Sequence, residues 1–290
     1  MGYLNWLWKN RETWFGNTSN FDLALTRWTF KTATELAMEL GKEEDAMYWA
    51  GILEQWPHLA VAEGQGLMLS PNEAVTESHR HHSHQIGYHP LGLVDVSQGE
   101  EQRKIIENTL SHMDSLGSSA WVGYSFSWLG NMLARALDGE GAAEALGIFA
   151  TSFVLPNSFH VNGDQSGKGY SNFTYRPFTL EGNFAFASGL QEMLIQSHTG
   201  TVSVFPAIPK DWREVGFDTL RAEGAFLVSA KMEQRKVAQV TVVSEKGEKL
   251  KLQNPFGTDS FTASKAYQKE GGVLVFDTGV GESITLTSDL

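Results

Sequence analysis

The sequence predicts a protein in two parts, helical over residues 1–199 and all-β over residues 200–290. Three observations carry this reading. Apolar residues recur at helical spacing in the first part, and short β-branched or alternating runs lie between turn formers in the second. The change from one pattern to the other is abrupt and falls at His198-Thr199-Gly200. The 290 residues suffice for two ordinary domains. With 41% hydrophobic and 19% charged residues the chain has the make-up of a globular protein rather than a disordered one.

Taking the elements in order, residues 21–40 place Leu25, Trp28, Leu36 and Leu40 on one helical face, and Gly41 follows where a C-terminal cap belongs. A second helix over 43–56 ends at Pro57, whose ring clashes with the preceding turn, so the two read as a helical hairpin. After an irregular stretch through Tyr88, further helices are predicted over 98–116, 124–137, 141–153 and 182–196, which makes the region to Thr199 essentially all α. Strands follow at 201–205, 225–232, 237–244, 249–253, 273–276 and 283–287, a pattern that reads as a β-sandwich. Phe205-Pro206-Ala207-Ile208-Pro209 reads as a stiff connector that docks the two parts. Residues 1–15 interleave Trp6, Trp8 and Trp14 with Lys9, Arg11 and Glu12 and read as a helix or loop packed on its neighbours. They lack the apolar run of a signal peptide, so a cytoplasmic location is the default expectation.

Composition excludes several functions. A formal charge of −12 without a Lys/Arg cluster repels phosphate backbones, so nucleic acid is not an expected partner. No run of about 18 apolar residues exists to span a membrane. The absence of cysteine removes disulfides, thiolate metal sites and cysteine nucleophiles. Nothing in the chain calls for a cofactor.

Three segments can carry chemistry. The run His79-Arg80-His81-His82-Ser83-His84, with His89 after it, gathers five of the nine histidines into eleven residues. It admits a metal site, a buried loop whose imidazoles satisfy backbone groups, or a polar cleft that binds several hydroxyls, since each ring offers a donor and an acceptor. No His-Glu-x-x-His pattern or carboxylate at ligand spacing accompanies the run. The second segment, Trp121-Val122-Gly123-Tyr124-Ser125-Phe126-Ser127-Trp128, brings four aromatics to a helix start, with residues 121, 124 and 128 able to share a face as core or as a stacking platform. In the third, a flexible Gly/Ser/Asn stretch from Ser166 leads to Tyr175-Arg176-Pro177-Phe178-Thr179-Leu180-Glu181-Gly182-Asn183-Phe184. Glu181 stands at the helix entry, where the macrodipole favours a carboxylate, either as a plain capping acid or as a reactive group. Arg176 is its expected salt-bridge partner.

These segments, in this order, resemble the family 95 glycoside hydrolases, whose members include α-L-fucosidases and α-L-galactosidases. The resemblance rests on His79 to His84, on Tyr124 to Trp128 with Ala134-Arg135, on Pro177 to Phe184, on Glu192 to Ser197, on Pro206 to Trp212 and on Leu220 to Phe226. It implies part of an (α/α)6 toroid followed by a C-terminal β-sandwich, and hydrolysis of a terminal glycosidic bond, of an α-L-fucoside or related sugar, with inversion. Inversion needs an acid and a base with carboxyl groups about 6.5 to 9.5 Å apart. The family's base-side aspartate falls on Glu181. The expected sugar contacts are His79, His81, His82, His84, Trp128 and Asn183, which lie in the segments of the resemblance, and the neighbouring Arg176 and Tyr175, with no metal and an oligosaccharide or glycoside as the partner. Glu181 departs from the family's aspartate by one methylene, and Tyr175, Arg176 and Thr179 depart from its pattern as well. The family's general acid and water-holding asparagines lie in segments upstream of residue 1. The chain is therefore expected to be incomplete as an enzyme, to pair with a separate upstream chain, or to self-associate through uncovered helix faces. The alternative expectation is a carbohydrate-binding module without turnover.

Overall fold

The structure is a computed structural model that describes residues 17–289. The expectation for residues 1–15 lies outside the described residues. By packing, the chain divides into two units, Met1–Ala120 and Trp121–Leu290.

In the first unit, α1 (Asn20–Glu39) begins at Ser19, whose hydroxyl accepts from the Asp22 amide, and ends where Gly41 takes φ +67. Helix α2 (Glu43–Gln55) opens with three acids, complementing the macrodipole, and stops at an extended Trp56 before Pro57. The hairpin is held by Phe30 stacked on Trp49 at 5.7 Å and by Arg27, which donates to the carbonyls of Trp56 and Pro57. A short ribbon, β1 (Val61–Ala62) and β2 (Gly66–Leu67), then lies against α3 (Glu100–Leu116). Gly66 is required there: its φ is +72, and a Cβ would sit 2.1 Å from the Thr109 hydroxyl. That hydroxyl accepts from the Leu67 amide and donates to the Ile105 carbonyl.

The second unit is built around α4 (Gly123–Arg135), which packs on α5 (Gly139–Ser152) and α6 (Glu181–Leu194). Helix α4 is buried almost throughout, with Met132 and Ala134 fully so. Gly130 and Gly189 both face Leu146, where an added Cβ would approach within 2.6 and 2.9 Å, so these glycines let the three helices close up. A buried ion pair fastens α4 to α6: Arg135 meets Glu192 through two hydrogen bonds of 2.9 and 2.8 Å.

The chain then turns β. A five-stranded antiparallel sheet runs in the order β5-β6-β7-β12-β9 and a three-stranded one in the order β10-β11-β8. Their strands are β5 (Val215–Ala222), β6 (Phe226–Glu233), β7 (Lys236–Ser244), β8 (Leu250–Gln253), β9 (Phe261–Ala263), β10 (Gln268–Glu270), β11 (Val273–Phe276) and β12 (Glu282–Ser288). Alternate residues of both sheets, among them Val228, Val240, Leu250, Leu252, Phe276 and Leu286, belong to one core. β5 escapes the sequence pattern because a bulge between Phe217 and Leu220, with Thr219 at φ +55, breaks its alternation. β9 and β10 are three residues each, too short to show a period.

The ribbon β3 (Ile195–Gln196) and β4 (Ser203–Val204) joins the parts, and the Phe205–Pro209 segment docks as expected. Ala207 is buried with Ala134, Ala142, Leu146 and Met193, and its amide donates to the Met193 carbonyl. The region to Thr199 is thus a helical one with short ribbons and a long coil, and a β-rich domain of antiparallel sheets follows it. Among the described residues no helix is long and apolar enough to cross a membrane.

Candidate active site

The predicted site residues fall in both units. In the first, the histidine run leads into a 3-10 turn over Ser83–Gln85. His79 and His81 are exposed neighbours, their rings 5.5 Å apart, and the His81 amide donates to His79 Nδ1. Arg80 Nε donates to His81 Nε2 at 3.1 Å, and burial, with Arg80 and His79, pushes the His81 imidazole below its usual range. His82 and His84 are buried. The Gln85 amide meets His84 Nε2, and burial, reinforced by His112 and His79, lowers the His84 pKa to about 4. This ring is neutral at pH 7. Among the described residues no three His, Asp or Glu side chains converge as a metal would need.

In the second unit, Glu181 is the first residue of α6, with its carboxylate exposed. Among the described residues it makes no hydrogen bond or ion pair, so it does not act as a hydrogen-bonded cap. Arg176 is not its partner: the Arg176 Nε donates to Gln165 Oε1 at 2.5 Å. The reason lies in the coil between α5 and α6, which folds back on itself. The amides of Asn162, Gly163 and Asp164 donate to the carbonyls of Pro177, Tyr175 and Phe173, and this ladder turns Arg176 towards Gln165.

The stretch from Ser166, expected to be flexible, is a closed turn. Asp164 accepts from the Ser166 amide and hydroxyl and from the Tyr170 amide, at 2.6 to 3.0 Å. Burial works to raise the Asp164 pKa, but these hydrogen bonds prevail and hold it below the usual carboxylate range. A lone Asp before a Ser/Gly run is the sequence signal for such a turn.

Burial raises the pKa of the Tyr124 phenol of α4, and the charge of the Glu181 carboxylate adds to it. Tyr124 lies against Trp128, one turn on, at 5.5 Å, whereas Trp121 packs edge-on against Phe126. So 124 and 128 share a face and 121 does not. Asn183 has both amide groups committed, its Oδ1 accepting from the His160 amide and its Nδ2 donating to the Ser158 carbonyl. Tyr175 is exposed and lies edge-on to Phe173. Exposed Phe159 and Phe178 pair at 4.7 Å, and Phe184 is exposed one turn beyond Glu181.

Sequence reasoning missed His160. It is fully buried and carries no motif, and its Nδ1 lies 2.7 Å from the Thr179 hydroxyl. Burial pushes this imidazole below its usual range, and the Glu181 carboxylate opposes that. Gly123 and Gly182 are the two helix-entry residues against its ring, where a Cβ would lie 2.3 and 2.6 Å from a ring nitrogen.

Two comparisons relate the chain to known proteins. The chain is 28% identical over 235 residues to "Alpha-L-fucosidase 2" of Arabidopsis thaliana, a match that covers 79% of the chain and 27% of that relative. The chain therefore spans about a quarter of the length of the curated relative it matches. Residues 5–194 match the glycosyl hydrolase family 95 catalytic domain and residues 196–286 the glycoside hydrolase family 95 C-terminal domain, so the chain belongs to glycoside hydrolase family 95.

Proposed function

We propose that this chain supplies the base side of a glycosidase that cleaves a terminal α-L-fucoside or related sugar with inversion, Glu181 being the general base. The observation that carries the reading is the state of Glu181. Its carboxylate is exposed and makes no hydrogen bond or ion pair among the described residues, its charge is felt by Tyr124, and its turn is fastened to a buried histidine. A base must keep its lone pairs for the water it activates, and a carboxylate committed to an arginine or a cap does not. In the same reading residues 1–199 form an arc of an (α/α)6 toroid and residues 200–290 a β-sandwich. His79 and His81, exposed at the surface of their unit, are suited to contact hydroxyls. In the second unit the exposed Tyr175 is suited to lie against a sugar ring, whereas Trp128 is buried and braces Tyr124 from behind. His82 and His84, being buried, support the shape of that loop. The exposed Leu36, Leu40, Met47 and Tyr48 of the α1–α2 hairpin support association there with another chain or a second copy.

The test is Glu181→Gln, assayed by calorimetry and on a chromogenic α-L-fucoside, with the chain mixed with the preceding portion of a family 95 protein. The expected outcome is retained sugar binding with hydrolysis lowered about 10²- to 10⁴-fold. Near-normal turnover refutes the role of Glu181. The exposed Phe159–Phe178 pair favours a second reading, a carbohydrate-binding module without turnover. Sugar binding with no hydrolysis in any mixture decides for it.

A further inference from the structure

We infer that His160 is the positioning residue of Glu181: through Thr179 on one side and Asn183 on the other, it fixes the turn that carries the carboxylate. This rests on the reading of Glu181 as the base.

The attachments are three and they bracket the carboxylate. Two residues before Glu181, the Thr179 amide donates to the His160 carbonyl at 3.2 Å and its hydroxyl meets His160 Nδ1 at 2.7 Å. Two residues after it, Asn183 Oδ1 accepts from the His160 amide at 3.0 Å. Between them, Gly182 lies against the ring itself, where a Cβ would approach Nδ1 and Cε1 within 2.6 and 2.7 Å. The ring is held from behind by Phe149 of α5 at 5.2 Å and abuts Gly123 at the start of α4. His160 thus sits where α4, α5 and α6 meet, with no exposed surface. A shift of residue 160, backbone and ring together, moves residues 179–183 with it, and misplacement of a reacting group by about 1 Å can cost on the order of 10²-fold in rate.

The hydrogen-bond pattern also favours one tautomer. The Thr179 hydroxyl lies 3.4 Å from Asn162 Oδ1, which only accepts, so the hydroxyl donates there and accepts from His160 Nδ1–H. Nε2 is then the unprotonated nitrogen, buried against Gly123 without a hydrogen-bond partner among the described residues. Glu181 of α6 is the charged group facing this ring, and the same charge is felt by Tyr124 of α4. α5 presents Phe149, and the coil presents Thr179 and Asn162. The Glu181 charge therefore favours the protonated form of His160, against the burial that disfavours it.

The experiment uses the 290-residue chain with ring-¹⁵N histidine, followed by NMR between about pH 8 and 5. Wild type is compared with Glu181→Gln and Thr179→Val, with circular dichroism as the check of fold. Thr179→Val keeps the shape and removes only the hydroxyl, so the test does not depend on a variant at the buried ring. The expected result is an Nδ1–H tautomer in wild type and a changed ring nitrogen signature in Thr179→Val. The His160 proton affinity should fall about threefold or more in Glu181→Gln. Ring signals that superimpose in all three proteins, or an Nε2–H tautomer in wild type, overturn the proposal.

On the chromogenic glycoside, in the same mixture used for Glu181→Gln, Thr179→Val should lower kcat about tenfold with KM within about twofold, and an unchanged kcat counts against the positioning role. The two readings fail separately. A coupled His160 in a protein that hydrolyses nothing overturns the glycosidase reading alone, and an uncoupled His160 in an active one overturns this inference alone.

Discussion

The histidine run at 79–84 and the single His160 make an instructive pair. The run stands out in the sequence, yet its members behave differently: His79 and His81 are exposed and bonded to one another's neighbourhood, while His82 and His84 are buried. His160 has no histidine beside it, yet it bonds to residues on both sides of the candidate base. Clustering in sequence thus says little about which imidazole is charged or what it holds. Burial and the nearest polar atom decide that, and both are tertiary properties.

The comparison can be broken at four places. The largest expected effect is at the ion pair that fastens α4 to α6 at the ends away from His160. Arg135→Ala removes both charge-assisted hydrogen bonds to the largely covered Glu192 carboxylate and should cost about 3–5 kcal/mol in urea denaturation. A loss of under about 1 kcal/mol would put the pair in the class of surface bridges.

Next is His84. Its folded pKa, about 4, lies below its ordinary 6.5, so the folded state binds fewer protons than the unfolded one between these values. The stability this group contributes is complete above pH 6.5 and is lost as pH falls towards 4, by about 3 kcal/mol. Hydrogen exchange of amides near residue 84 should speed up over that window, and His84→Gln should flatten the response, while His79→Ala, which removes only the smallest of its causes, should leave most of it. An identical pH response in His84→Gln excludes this account.

Third, Gly182→Ala forces a methyl against the His160 ring and Phe149, which should destabilise by about 1–3 kcal/mol in the same denaturation assay. A neutral result would mean that the ring yields easily and is a poor brace. The smallest effect is a control of opposite sign. Gly147 is exposed within α5 and an added Cβ meets nothing, so Gly147→Ala should stabilise by about 0.5–1 kcal/mol, read as a raised denaturation midpoint.

Much of the fold was legible because its signals are local. The helices over 21–40 and 43–56, bounded by Gly41 and Pro57, appear as α1 and α2 within a residue or so. The alternation of β6, β7 and β12 was visible because one face of each is buried. β5 was not, since its bulge moves successive side chains out of phase.

The candidate site was only partly legible. Glu181 and Trp128 stood in recognisable motifs. Thr179 was noticed as a departure from the family pattern, but the partner of its hydroxyl lies 19 residues away across a coil that the sequence presents as loose. Asp164 closes that coil with hydrogen bonds that leave no periodic trace. The exclusion of Arg176 from Glu181 could be seen only once the ladder across residues 162–177 was in place.

The docking of Ala207 has a practical consequence for anyone who divides this protein. Gly139 is packed so tightly on the backbone of Ala207 and Ile208 that a Cβ would lie 2.7 Å from it, and Arg235, at the far end of a β-hairpin, donates to the carbonyls of Pro209 and Lys210. A cut at the change of secondary structure near Thr199 therefore passes through packed side chains. A helical fragment ending there would bare Ala142, Leu146 and Met193 and become adhesive, and a graft that exchanges the sheets between relatives would have to carry the lining of that seam with it.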